Sequence, residues 1–149
     1  MVEMLIAQSD GEITACFPVM RQLRTHLAET EFLQRIRLQQ RDGYQLCYLT
    51  DADAVRSVAG FRLIENLASG RVLYVDDLVT DLNGRSKGYG RKILDWLIAK
   101  AKAGGCDTLE LDSGVQRFGA HRFYFSNRMS ISSHHFRMHL KVENAKEQT

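Results

Sequence analysis

The chain has little cysteine and almost no proline: three cysteines and one proline in 149 residues. Cys16, Cys47 and Cys106 are odd in number, widely spaced and form no CxxC pair, which argues against a disulfide framework and against a zinc site. No linker rich in proline, glycine or serine divides the chain, and its length suits one domain. We therefore predict a single domain over residues 1–149, with a flexible tail at 143–149.

Long apolar runs and a strong net charge are also missing. No run approaches the ~20 apolar residues that cross a bilayer, and residues 1–13 lack the basic and apolar parts of a signal peptide. The net charge of +2 is too small to indicate a nucleic-acid coat. These absences, with thiols that we expect to be reduced, predict a cytoplasmic protein that binds neither membrane nor nucleic acid.

The apolar segments that are present predict an α/β protein with a mixed sheet. Alternating patterns indicate strands, three- and four-residue spacings indicate helices, and Asp and Gly mark several boundaries. The predicted strands are 4–7, 44–50, 55–64, 72–80, 108–113 and 131–142, and the predicted helices are 14–27, 30–42, 91–103 and 117–129. Because one helix connects strand 72–80 to strand 108–113, these two strands should be parallel.

A basic, glycine-bearing segment, Arg85-Ser86-Lys87-Gly88-Tyr89-Gly90, lies between strand 72–80 and the next helix. Residues 85–92 carry four bases and no acid. Cations at a helix N-terminus oppose its dipole unless a bound anion offsets them, and glycine lets phosphate approach the backbone amides. The segment therefore predicts a phosphate-binding loop, with a solvated basic turn as the plainer alternative.

This loop and a segment of the last predicted helix together resemble the GCN5-related N-acetyltransferases (GNAT). Residues 85–90 match the family signature Gln/Arg-x-x-Gly-x-Gly/Ala, and the segment Ala120 to Tyr124 matches the usual Ala-x-x-x-Tyr. The order of elements agrees from residue 4 to about residue 140. The resemblance implies the acyl-CoA N-acyltransferase fold: a mostly antiparallel mixed sheet with one splayed parallel pair, flanked by helices.

The resemblance also implies acetyl-CoA as cosubstrate and residues that bind it. In the family the strand before the loop bulges, and the pantetheine arm pairs with its exposed backbone. The diphosphate would lie on the loop amides, and Arg117, which stands where many members have Asn, would reach a CoA phosphate or the substrate. The implied cofactor-binding residues are Leu78, Val79, Thr80, Arg85, Ser86, Lys87, Gly88, Tyr89, Gly90, Arg91 and Arg117.

The implied reaction is direct attack of a primary amine on the thioester in a ternary complex. Tyr124 matches the family tyrosine that acts as general acid. Asp76 and Asp77 are adjacent carboxylates in an apolar strand, and they would face opposite sides if that strand were regular. Asp77 is our candidate base; the alternatives are that one or both acids lie at the substrate opening or pair with an arginine.

Several alternatives stay open at this point. A non-catalytic CoA-binding module or regulator with the same fold is the main rival, and a nucleotide enzyme is weaker because the loop lacks the Gly-Lys-Ser/Thr ending of a P-loop. The acceptor could be an amino acid, a polyamine, an antibiotic or a peptide amine. We expect no metal site, because His134 and His135 would point to opposite faces of a strand. A homodimer fits the family.

Overall fold

The computed structural model describes residues 1–141, which form two compact units. The first unit is Met1–Leu111, and the second begins at Asp112. The single-domain organisation stays a prediction, and the predicted flexible tail at 143–149 lies outside the described residues.

The first unit contains five strands and four helices, and the second contains one helix within the described part of the chain. In chain order the elements are β1 (Val2–Ile6), α1 (Asp10–Ala15), α2 (Phe17–Leu23), α3 (Glu29–Gln40), β2 (Gln45–Asp51), β3 (Ala54–Asn66), β4 (Gly70–Thr80), α4 (Tyr89–Ala103), β5 (Thr108–Leu111) and α5 (Phe118–Ser126). A short 3-10 turn, Leu82–Gly84, lies between β4 and α4.

The five strands form one sheet in the order β1-β2-β3-β4-β5. The first four strands are antiparallel to their neighbours, whereas β4 and β5 are parallel. The mixed sheet and the parallel pair are therefore confirmed.

The parallel pair is short, and this leaves part of β4 open. Pairing begins at Val72↔Thr108 and ends at Val75↔Leu111, whereas β4 runs on to Thr80. Within the described part of the chain, the last residues of β4 thus have a strand partner only on the β3 side. The splayed arrangement expected from the family is present.

The two faces of the sheet are covered by different helices. Residues of α1, α2 and α3 pack with alternate strand residues such as Leu46, Val58 and Val79 in one apolar cluster. Residues of α4 pack in a second apolar cluster with Cys47 and Ala59, which directly follow Leu46 and Val58 in the sequence. Strand alternation divides the side chains between two cores, and Cys47 is buried in the second.

The prediction of one helix over 14–27 is wrong, because the chain forms two shorter helices. The first, α1, begins earlier, after Ser9, whose side chain and that of Glu12 make a capping box. The chain turns at Cys16, and Pro18 lies in the first turn of α2. Proline lacks an amide hydrogen and is tolerated where a helix starts, so Pro18 was the available signal for the break.

The predicted terminal strand at 131–142 is also not found. Residues 131–141 have no regular secondary structure, and Val142 lies outside the described residues. The alternating apolar pattern of this segment is present, but no strand of the described chain pairs with it.

Candidate active site

The basic loop has the local backbone of an anion site. Ser86 and Gly88 both have positive φ, +72° and +80°, and Gly88 is the residue that precedes α4. No side chain caps this helix, and the amide of Lys92 makes the first helical bond, 3.1 Å to the oxygen of Gly88. The amides of Tyr89, Gly90 and Arg91 therefore have no acceptor inside the helix and can bind an anion.

The charges around this helix start are mostly uncompensated. Arg85, Lys87 and Lys92 are exposed, and none of them pairs with an acid among residues 1–141. Arg91 differs, because its Nε lies 3.0 Å from Oδ1 of Asp95. The loop amides, the dipole of a 15-residue helix and three free cations fit a diphosphate.

Tyr89 anchors the loop instead of facing outward. Its ring is buried, and its hydroxyl donates a hydrogen bond of 2.6 Å to Oδ2 of Asp51 at the end of β2. That acceptor raises the pKa of Tyr89 above its usual value. Of the predicted contributions from Tyr89, only its backbone amide is available to a ligand.

The open edge of β4 offers two of the three predicted backbone sites. The amide of Asp81 donates to the oxygen of Arg56, 2.7 Å away, so it points toward β3. Because amide directions alternate along a strand, Val79 also points toward β3, whereas Leu78 and Thr80 point to the edge that β5 does not cover. This edge can pair with an extended, amide-containing ligand as a strand would.

The strand bulges immediately before this edge. On β3, Gly60 pairs with Asp77 while the next residue, Phe61, pairs with Val75. Asp76 is thus an extra residue without a partner opposite it, as in a β-bulge. The regular alternation that would place Asp76 and Asp77 on opposite faces is broken, and both carboxylates line one pocket.

The two carboxylates have different partners. Asp77 accepts at both oxygens: from Nε of Arg24 at Oδ1 and from the hydroxyl of Tyr44 at Oδ2, each at 2.8 Å. Asp76 accepts at Oδ2 from Nε of Arg62, at 3.0 Å. Its Oδ1 has no hydrogen-bond partner among the described residues. Asp76 therefore has an oxygen that accepts no hydrogen bond within residues 1–141, whereas both oxygens of Asp77 already accept one.

The electrostatic environment separates these groups further. Burial raises the pKa of Asp76 above its usual value, although the hydrogen bond and charge of Arg62 oppose the shift. Burial and the neighbouring Asp77 carboxylate raise the pKa of Tyr44 well above its usual value. Tyr44 is thus a permanent donor to Asp77, and the raised pKa of Asp76 favours its taking up a proton.

The pocket has a volume of about 310 Å³ and lies between helices α2 and α3 and strand β4. Its polar lining is formed by both carboxylates and by side chains from the end of α2, the loop after it and α3. Its apolar lining comes from core residues of the same helices. The lining residues are Met20, Arg24, His26, Leu27, Phe32, Arg35, Ile36, Gln39, Tyr44, Asp76 and Asp77.

Gly60 makes room for this arrangement. A Cβ atom at Gly60 would overlap the hydroxyl and ring of Tyr44, so only glycine lets that hydroxyl reach Asp77. Sequence reasoning missed Gly60, Tyr44, Arg24 and Arg62. A glycine inside an apolar strand commonly marks a bulge or a close approach, and this was the one local signal.

In the second unit, Tyr124 lies on α5 and is half-buried. Burial raises the pKa of Tyr124, and the nearby charge of Arg117 lowers it by a smaller amount. Arg117 immediately precedes α5. Tyr124 is thus protonated at neutral pH, which is the state that a general acid requires.

Two other groups of residues bear on the chemistry. Burial raises the pKa values of Cys16 and Cys47 to about 12, so neither is a thiolate nucleophile at neutral pH. No group of three or more possible metal ligands occurs within residues 1–141. No helix in that range is long and apolar enough to span a membrane.

The fold and the loop define the chain as an acyltransferase of the GNAT type. Residues 6–126 match the Acetyltransferase (GNAT) family, and the chain belongs to this family. A Bacillus subtilis protein named Uncharacterized N-acetyltransferase YhdJ is 36% identical over 139 residues, which cover 92% of this chain and 98% of the relative.

Solved structures share the fold. A transcriptional regulator from Bacillus halodurans has a TM-score of 0.83 at 18% identity, over 94% of this chain and 100% of that one. Glucosamine-6-phosphate N-acetyltransferase from Arabidopsis thaliana has a TM-score of 0.73 at 20% identity, over 95% and 99% of the two chains. At these identities the likeness concerns the fold alone.

The loop assignment predicts that Gly88→Ala weakens acetyl-CoA binding by about tenfold or more, because the added methyl group occupies the space of a charge-assisted hydrogen bond. Gly105→Ala is the matched control. Both glycines have positive φ, +80° and +70°, and at neither would an added Cβ atom have a neighbour within 4 Å. Backbone strain should lower the Tm of both variants alike. Equal affinities in a calorimetric titration would contradict the assignment.

Proposed function

We propose that this acetyltransferase moves an acetyl group from acetyl-CoA to a primary amine by direct attack in a ternary complex. The observation that carries the proposal is the arrangement along β4. A pocket with two carboxylates, an open backbone edge and an uncapped helix start follow one another between Asp76 and Arg91. That order suits an acceptor, a thioester arm and a diphosphate.

The backbone of the loop would hold the diphosphate, and the charges of Arg85 and Lys87 add to it. The amides of Leu78 and Thr80 would pair with the pantetheine arm, with Val79 between them. One of these amides would donate a hydrogen bond to the thioester oxygen as negative charge develops there. Acetyl-CoA supplies the activated acetyl group. The remaining proposed contacts are Ser86, Lys87, Gly88, Tyr89, Gly90, Arg91 and Arg117.

Two proton transfers complete the reaction. The proposal assigns Tyr124 as the general acid for the leaving sulfur, which rests on its motif and its protonated hydroxyl. Asp77 remains a candidate base. The geometry adds Asp76 and favours it, because Asp76 keeps Oδ1 free whereas Arg24 and Tyr44 occupy both oxygens of Asp77.

The rival proposal is a regulator that binds CoA without turnover. A Bacillus halodurans structure with the same fold is named a transcriptional regulator, so the fold is compatible with this rival. The relative named as an N-acetyltransferase, at the higher identity of 36%, favours the enzyme. A cytoplasmic location and no binding of nucleic acid or membrane are parts of the same proposal.

A thiol-release assay tests the enzyme against the regulator. The purified protein should release free thiol from acetyl-CoA when a panel of primary amines is supplied. Tyr124→Phe should lower kcat by about 10²-fold, the usual size of a lost general acid, with the same affinity for acetyl-CoA. Tyr48→Phe is the control, because it also removes a tyrosine hydroxyl, one that contacts Glu12 and has no proposed part in the reaction. CoA binding without thiol release would favour the regulator, and an unchanged kcat would exclude Tyr124 as the acid.

Two single variants, Asp76→Asn and Asp77→Asn, test which aspartate is the general base. A base with a raised pKa loses its charge as the pH falls through that pKa, so kcat should fall on the acid side. We expect Asp76→Asn to lower kcat by about 10²-fold and to remove this dependence. Asp77→Asn should chiefly lower Tm, because it breaks the pair with Arg24. Loss of the acid limb in Asp77→Asn alone would return the role to Asp77.

A homodimer is the last part of the proposal. Phe136, Met138 and Leu140 alternate along the chain and are 92%, 81% and 85% exposed. Such an apolar row favours association. We expect light scattering to give the mass of a dimer, and Met138→Asp to lower it to that of a monomer. A monomer in the unaltered protein would contradict this part.

A further inference from the structure

We propose that the pocket between α2, α3 and β4 selects a small amine that also carries an anionic group, a carboxylate or a phosphate. This inference rests on the proposed function, because it names the acceptor class for the same site. It follows from which charges in the pocket are already paired.

The positive charges of the pocket are unequally engaged. Arg24 donates to Oδ1 of Asp77 and to the backbone oxygen of Asp76, both at 2.8 Å. Arg62, behind the pocket, donates to Oδ2 of Asp76 at 3.0 Å and to Oε1 of Gln39 at 2.8 Å. Arg35 also lines the pocket, is exposed, and has no acid or hydrogen-bond acceptor among residues 1–141. One guanidinium is therefore free for a ligand.

The negative charges show the complementary pattern. Asp77 is satisfied at both oxygens, and Asp76 is satisfied at Oδ2 only. Oδ1 of Asp76 is thus the acceptor that can hold an ammonium group. The pocket presents one free acceptor on β4 and one free guanidinium on α3. A ligand with one positive and one negative group complements both.

Other amine classes fit less well. A polyamine or an aminoglycoside brings further cations, which would meet Arg35 and, when protonated, His26. A volume of about 310 Å³ is at the small end of ligand pockets. Met20, Phe32 and Ile36 form a buried apolar floor, which suits a compact ligand with an apolar side chain.

Matched pairs of amines test the inference. Leucine and leucinamide share the amine and the side chain but differ in the acidic group, as do phosphoethanolamine and ethanolamine. Spermidine represents the polycations. We would measure kcat/KM by thiol release from acetyl-CoA and, independently of turnover, the shift of Tm that each amine causes with and without CoA.

We expect one acid-bearing amine to exceed its partner without the acidic group by about tenfold or more, as for a charge-assisted contact. If leucine shows the larger preference, the anionic group that the pocket selects is a carboxylate. If phosphoethanolamine does, it is a phosphate. Arg35→Ala should remove that preference and leave the amines without an acidic group unaffected, whereas Arg35→Lys should retain part of it. Arg41→Ala, an exposed arginine at the end of α3 outside the pocket, should behave as the unaltered protein.

Three results would overturn the inference: equal use of both members in each pair, a preference for spermidine, or an equal loss for both members in Arg35→Ala. If no amine releases thiol, the proposed function is wrong and the Tm shifts decide. A shift with an acid-bearing amine alone, lost in Arg35→Ala, would still support the pocket assignment. No difference in shift would contradict it.

Discussion

Asp76 is an extra residue in β4, and the position of both carboxylates in the pocket depends on it. The bulge brings two adjacent carboxylates into one pocket, and the pairing with β5 ends just before it, at Val75, where β5 itself ends. Immediately after it, Leu78 and Thr80 direct their amides to an open edge. The pocket and the open edge of the strand thus meet at one local irregularity, which a regular strand could not provide.

Placing two carboxylates in a partly buried position is costly unless cations and donors compensate them. The compensation comes from Arg24, which is the residue after α2, and from Arg62 on β3. Tyr44 adds a hydrogen-bond donor that burial keeps protonated. The same contacts connect the helical layer to the sheet. What stays uncompensated, Oδ1 of Asp76 and the guanidinium of Arg35, is therefore the part of the pocket that is available to a ligand.

Much of the fold followed from local patterns. The basic loop and the parallel strands around α4 were predicted from residues 85–90 and from periodicity. The errors have local causes too: Pro18 divides a helix that looked continuous, and the pattern of residues 131–141 finds no strand partner in the described chain. The pocket could not be predicted, because Arg24 and Asp77 are 53 residues apart and meet only where α2 packs on β4.

The sequence by itself determined most of the secondary elements and the basic, glycine-bearing start of α4, because short-range spacing, glycine conformation and capping decide both. Only the tertiary structure decided which way Asp76 and Asp77 point and which arginines pair with them. Those outcomes depend on the bulge opposite Gly60 and Phe61 and on the space that Gly60 leaves for Tyr44. Register and space are properties of packed strands, and no single segment of the chain contains them.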